Sequence, residues 1–342
     1  MRKLTVKTLQ IAVPFLLGGG ILYWMYRNFD FSQISDVLLH QMRWEWMLLS
    51  FVPGILAQVF RALRWQQTLT PMGERSRSHV AICAIFLSYA ASLVVPRVGE
   101  FLRCGILKRK DGVSFPKALG TVVTERAVDM LIMSVLLAAV IIWQWDMFTD
   151  FFALTGLSLK GTLSKFTATG IWVSALCVVG IVVLLIVLAR RLRVLRKVKA
   201  IMCDMAEGIM SLRNVGNIPL YLFYSVGIWA AYFFHYYLTF YCFGFTEHLG
   251  LAAGLVSFCT GGIAVLVPTP NGAGPWHFAV KTILVLYGLS ATSAIIFALI
   301  VHTVQTMLLV VLGVYALIVL QHIKPLPKRR EEDGGAAVGQ TT

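Results

Sequence analysis

Three groups of polar residues sit in or beside apolar stretches of this 342-residue sequence. The first follows Pro96 and runs Arg97-Val98-Gly99-Glu100-Phe101-Leu102-Arg103. On a helix Glu100 and Arg103, three apart, share a face, and Arg97 stands three before Glu100. One carboxylate between two guanidiniums leaves net positive charge, and arginine supplies the planar paired donors that suit a phosphate. The second group is Glu125-Arg126-Ala127-Val128-Asp129. Glu125 and Asp129 are four apart on one helical face, with Arg126 placed to pair with Asp129. The third is Asn271, Gly272, Gly274 and His277, in the run PTPNGAGPWH. Free backbone N–H groups in such a loop, followed by a helix N-terminus, form a cradle for an anion or headgroup. His302, with Gln305 three residues on, lies near the middle of a late apolar run. Each group has a plainer reading beside the functional one. These are an ion pair at a membrane boundary, a salt-bridged helix end, and packed, hydrogen-bonded histidines.

The elements that must carry these residues are membrane helices. Hydrophobic residues make up 58% of the chain and charged residues 13%, with mean hydropathy +0.77. A soluble domain carries about 25% charged residues, so this inventory cannot cover a water-exposed surface. The formal net charge of +14 sits in short clusters between apolar runs, such as 108–110, 190–199 and 324–330. That is the positive-inside pattern, with anionic headgroups as partners, and it argues against nucleic acid. None of the six cysteines forms a C-x-x-C pair, and no P-loop or H-E-x-x-H pattern occurs. Neither a metal nor another cofactor is expected, nor ATP hydrolysis by this chain.

Apolar runs of spanning length are predicted at 9–28, 45–64, 116–145, 169–189, 219–243 and 291–320. The first follows basic residues but lacks a cleavage motif, so it is expected to be retained. Arg61, Arg64 and Trp65 close the second run as snorkelling anchors would. Residues 30–43 are expected to lie along the surface as a helix, and 195–215 likewise. Ser114 and Pro116 predict the cap and first turn of the helix bearing Glu125. His235, among aromatic neighbours, reads as core. Residues 324–342 form a basic, then Gly-rich, disordered tail in this reading.

Two apolar segments, 79–105 and 250–287, are broken by Pro and Gly. If 79–95 crossed fully, the basic residues 97–117 and 190–213 would face outward, against the usual bias. A re-entrant first segment keeps both clusters and the C-terminus inside. Six full crossings result if 250–287 is a second hairpin, eight if it crosses twice. Irregular backbone at membrane depth is tolerated only where protein or water satisfies it, and paired broken segments point to a transport site.

In these residues nearly the whole chain resembles the transmembrane, flippase-like domain of the lysylphosphatidylglycerol synthase family. The resemblance rests on Arg61, Arg64 and Trp65, on Pro96, Arg97, Gly99, Glu100 and Arg103, on Glu125, Arg126 and Asp129, and on the Pro/Gly turn ending at Gly274. Ser92, His277 and His302 stand where the family pattern usually has Asn, Glu and Arg. The apolar runs and charge placement predict an all-α polytopic protein of a bacterial cytoplasmic membrane, with both termini inside. The resemblance implies movement or handling of a phospholipid or polyprenyl-linked lipid rather than lysyl transfer, since the chain has no room for an aminoacyl-transferase domain. From their chemistry and placement, the expected substrate-binding residues are Arg97, Glu100, Arg103, Glu125, Arg126, Asp129, Asn271, Gly272, Gly274, His277 and His302. The competing expectation is a membrane enzyme, or an accessory subunit for lipid or glycan modification, acting with a separate soluble transferase.

Overall fold

The computed structural model describes residues 19–23, 32–146, 149, 215–267 and 269–326. Predicted features at 9–18, 24–28, 169–189 and 195–214, Pro268 and the tail beyond 326 lie outside them. Among the described residues all regular structure is helical, as expected of an all-α integral membrane protein. Four helices of the described residues are long and apolar enough to span a membrane: α1 (Trp44–Leu69, extended by a short turn), α4 (Phe115–Trp143), α5 (Ile218–Tyr237, also extended) and α8 (Ala291–His322). Between them lie two helical pairs, α2 (Ser78–Val94) with α3 (Val98–Asp111), and α6 (Leu251–Ala264) with α7 (Pro275–Leu286).

Each pair is a hairpin, and the two enter from opposite ends of the bundle. At the basic end, Arg77 before α2 binds Asp111 at the end of α3. The Arg77 backbone N donates to Asp111 Oδ2 and its Nε to Oδ1, both at 2.8 Å. The chain after α8 closes on the same point. Lys110 Nζ donates to the Ile323 carbonyl at 2.7 Å, and Arg77 Nη2 to that of Lys324 at 3.0 Å. Residues 324–326, placed in the tail by the sequence, therefore hold the hairpin base. At the opposite end, Tyr287 after α7 donates to Gln144 after α4. The helical segment 32–41 packs there too, burying Val37 beside Phe243, Leu249 and Leu289.

Local chemistry explains the starts and breaks. Asn217 caps α5, accepting from Leu220 N at 3.0 Å, and Ser290 caps α8 through Ser293 N. The helix carrying Glu125 begins at Phe115, but the Ser114 side chain makes no cap bond; the fixed φ of Pro116 in the first turn favours helix without it. The first hairpin turns at Arg97, a non-glycine residue held at φ 65°. The second turns through Asn271 at φ 50° and Gly272 and Gly274 at 71° and 91°. With α7 only about 18 Å long, the second segment returns before reaching the far end. The Pro270–Gly272 turn packs on α2, so the two hairpins meet inside the bundle.

Candidate functional site

Helix α1 brings Arg61 and Arg64, three apart on one face, against Glu125 and Asp129, four apart on α4. Arg61 Nη1 lies 2.9 Å from Glu125 Oε1 and 2.6 Å from Asp129 Oδ2. Arg64 Nη2 lies 2.7 Å from Asp129 Oδ1 and 3.4 Å from Glu125 Oε1. Arg103, from α3, reaches Glu125 Oε2 at 2.9 Å. These five side chains are almost fully buried, Arg64 to 0% exposure and Arg61 to 3%. Trp65 completes the packing. Its Nε1 donates to Thr121 Oγ1 at 2.9 Å, and Arg103 stacks over its ring at 4.6 Å. Arg61 and Arg64 sit five to eight residues inside the end of α1, so the cluster lies about 10 Å from the basic end. Held there in low dielectric, each charge depends on its partners.

This overturns the reading of Arg61, Arg64 and Trp65 as snorkelling anchors. They are the centre of the network, because the two carboxylates of α4 need buried cations and α1 supplies them at matching spacing. The pairing within the first sequence group also differs from the expected Glu100–Arg103 contact. Glu100 turns to Arg126, with Nε 2.8 Å from Oε1, while Arg103 turns to Glu125. Arg126 is a further 3.7 Å from Asp129. Arg126 and Glu100 stay 35% and 29% exposed. Arg97 stands exposed at the tip of the first hairpin, outside the ion-pair cluster.

The third group assembles beside the second break. His277 and His302 meet with ring centroids 4.4 Å apart. His302 Nε2 lies 3.1 Å from the Asn271 carbonyl, and Asn271 Nδ2 donates to Thr306 Oγ1 at 2.8 Å. The His277 ring accepts from the Gly274 backbone N at 3.3 Å, so this N–H is engaged within the protein. Gly272 is packed so closely on Val265 that a Cβ would come within 2.7 Å of its side chain.

Both polar regions open on one cavity of about 800 Å³. Arg61, Arg126 and Asp129 line it at the ion-pair cluster; Asn271, His302 and Thr306 line it at the second break. Between them the wall is largely apolar and aromatic, including Trp229, Tyr232, Phe258 and Trp276. Glu100, Arg103, Glu125, Gly272, Gly274 and His277 do not line the cavity. His235 lines the cavity while its Nδ1 lies 2.6 Å from the Ser50 carbonyl, so it is more than core packing. Gln58, Tyr89, Trp229 and Tyr232 escaped the sequence reading. The one available signal was Gln58, three residues before Arg61 and so on its face. Among the described residues no group of three or more His, Cys, Asp or Glu side chains could hold a metal ion.

A stretch of 89 residues, 26% of this chain, is 26% identical to the glycosyltransferase AglD of Haloferax volcanii, and covers only 14% of that protein. No solved structure matches the chain. The family model for the lysylphosphatidylglycerol synthase TM region matches residues 11–313, carrying every element of the site, and the chain belongs to that family.

Proposed function

We propose that this protein is a flippase-like transporter that moves a phospholipid or lipid-linked headgroup between leaflets without an ATPase of its own. The observation that carries this reading is the single cavity joining a guanidinium-rich region to a neutral polar region through an apolar wall. A lipid has that same division. Its phosphate suits Arg126 and Arg61, and its headgroup suits the polar atoms around Asn271 and Thr306. Met130 and Leu266 line the cavity while remaining 59% and 61% exposed, which gives acyl chains an apolar side entrance. The hairpins entering from opposite ends provide two elements whose rocking could expose the cavity alternately.

Purified protein in liposomes should accelerate the exchange of headgroup-labelled anionic phospholipid between leaflets. Failure to move any of several candidate lipids would falsify the transporter reading. Replacing Arg126 with alanine should lower that exchange at least tenfold. Stability should fall by no more than about 1 kcal/mol, because the Arg126–Glu100 pair is partly exposed. Equal loss of exchange and of folded protein would assign Arg126 a structural role instead.

We place the basic end, with Arg77, Lys110 and Lys324, on the cytoplasmic side of a bacterial inner membrane, following the positive-inside bias. Cysteines substituted at Lys108 and Arg109 should react only with reagents that reach the cytoplasm; labelling from outside reverses the assignment. The partial similarity to a glycosyltransferase favours one second reading, an accessory membrane subunit that presents a lipid-linked glycan to a separate transferase. In that case a transferase should co-purify, and no lipid should change leaflet without it.

A further inference from the structure

We infer that the cavity accepts a phosphate lipid whose remaining headgroup is neutral and hydroxylated, such as a glycerol or a sugar, and discriminates against a cationic headgroup. This rests on the lipid-binding reading of the same cavity and names its substrate class. Among the described residues, the charges that line the cavity are Arg61, Arg126 and Asp129. Asp129, the sole carboxylate among them, is already held by Arg61 at 2.6 Å and Arg64 at 2.7 Å, with Arg126 third at 3.7 Å. Glu125 and Glu100 are likewise engaged by arginines and do not line the cavity. An ammonium group entering with the lipid would therefore meet surplus positive charge and no free counter-ion. Protonation of His235 or His302 would only add to that repulsion. A phosphate meets the reverse situation, since Arg61 Nε is buried without an acceptor.

The uncharged part of the cavity lining points the same way. Three uncharged lining residues carry buried polar atoms with no hydrogen-bond partner: Tyr232 OH, which can donate and accept, and the pair Gln58 Oε1, an acceptor, and Trp229 Nε1, a donor. A hydroxyl group both donates and accepts, so a hydroxylated headgroup can satisfy both atoms of that pair. An ammonium group only donates and would leave the indole N–H unmet. Built-in repulsion of this kind, together with unmatched polar groups, is how binding sites reject a near relative of their ligand.

The test compares lipids that differ mainly in headgroup charge. Native mass spectrometry of the purified full chain would measure binding of phosphatidylglycerol, its lysyl ester, phosphatidylethanolamine and a polyprenyl-phosphate hexose. Phosphatidylglycerol or the hexose lipid should bind at least tenfold tighter than the lysyl ester and phosphatidylethanolamine. Which of the two leads tells a phospholipid from a glycan carrier. Thr306→Asp places a carboxylate where Asn271 Nδ2 can still donate, and should reduce the preference to threefold or less. Equal or tighter binding of the lysyl ester to the unmodified protein overturns the inference. So does an unchanged preference in a Thr306→Asp variant that melts at the wild-type temperature. Selective binding without movement of any lipid in liposomes overturns the transport reading and leaves the headgroup assignment standing.

Discussion

Replacing Asp129 with alanine should cost about 3–5 kcal/mol of stability, the loss typical when one partner of a buried ion pair is removed. Asp129 accepts short contacts from both Arg61 and Arg64, which are among the most buried side chains of the molecule. Without it the two guanidiniums share only Glu125, which Arg103 already engages. Ser225 Oγ, 3.3 Å from Arg64 Nη1, is a neutral acceptor and cannot replace the charge. A drop of well over 5 °C in melting temperature in detergent is expected. Double replacement of Asp129 and Arg64 by leucine and methionine should recover much of the loss, because an apolar pair of similar volume leaves one fewer charge unpaired. A single Asp129→Ala variant that melts like the wild type would show that water reaches the cluster and solvates it.

Gly99→Val should be the second most damaging substitution, at about 3 kcal/mol, near the upper end of the usual overpacking cost. Gly99 faces α2, the first helix of its own hairpin, where any Cβ would overlap the Ser88 backbone carbonyl and its side chain. The obstruction is backbone, which cannot swing aside as a flexible side chain can, so α2 and α3 would have to separate. Their separation would displace Glu100 and Arg103, one and four residues on, from Arg126 and Glu125. The same helix contains its own control. A Cβ at Gly105 meets nothing within 4 Å, so Gly105→Ala should be neutral or stabilise by up to about 1 kcal/mol. Melting temperatures of the two variants measured side by side check the argument. Equal behaviour would mean that the hairpin is not packed at Gly99.

Much of the architecture is legible along the chain because membrane helices are encoded by local composition. The runs predicted at 45–64, 116–145, 219–243 and 291–320 correspond to α1, α4, α5 and α8 to within a few residues at most boundaries. α1 extends about one turn beyond its predicted end, because Arg64 and Trp65 are buried within the helix rather than closing it. The breaks were equally readable, since five Pro and Gly residues between 268 and 275 cannot continue a helix. The hairpin form of the first break followed from charge: a full crossing would have stranded a basic cluster on the wrong side.

The partners of the charges were not legible, and the reason is geometric. Spacing on one helix shows which side chains share a face, and it correctly joined Glu125 to Asp129 and Arg126 to Asp129. It says nothing about the helix opposite. Arg61 and Arg64 fit an interfacial anchor as well as a buried counter-ion until α1 and α4 are placed side by side. Glu100 and Arg103 could have paired with each other, yet each found a nearer opposite charge on α4. By itself, then, the sequence determined that this is a helical membrane protein with two broken segments and an excess of arginine beside them. Periodicity, hydropathy and proline chemistry act within a few turns of chain, and those features need nothing more. Only the tertiary structure decided that residues from α1, α4 and α8 line one cavity, and that its lining carboxylate among the described residues, Asp129, is already engaged by arginines. Contacts between residues 60 to 240 positions apart depend on how helices dock, which no local rule specifies.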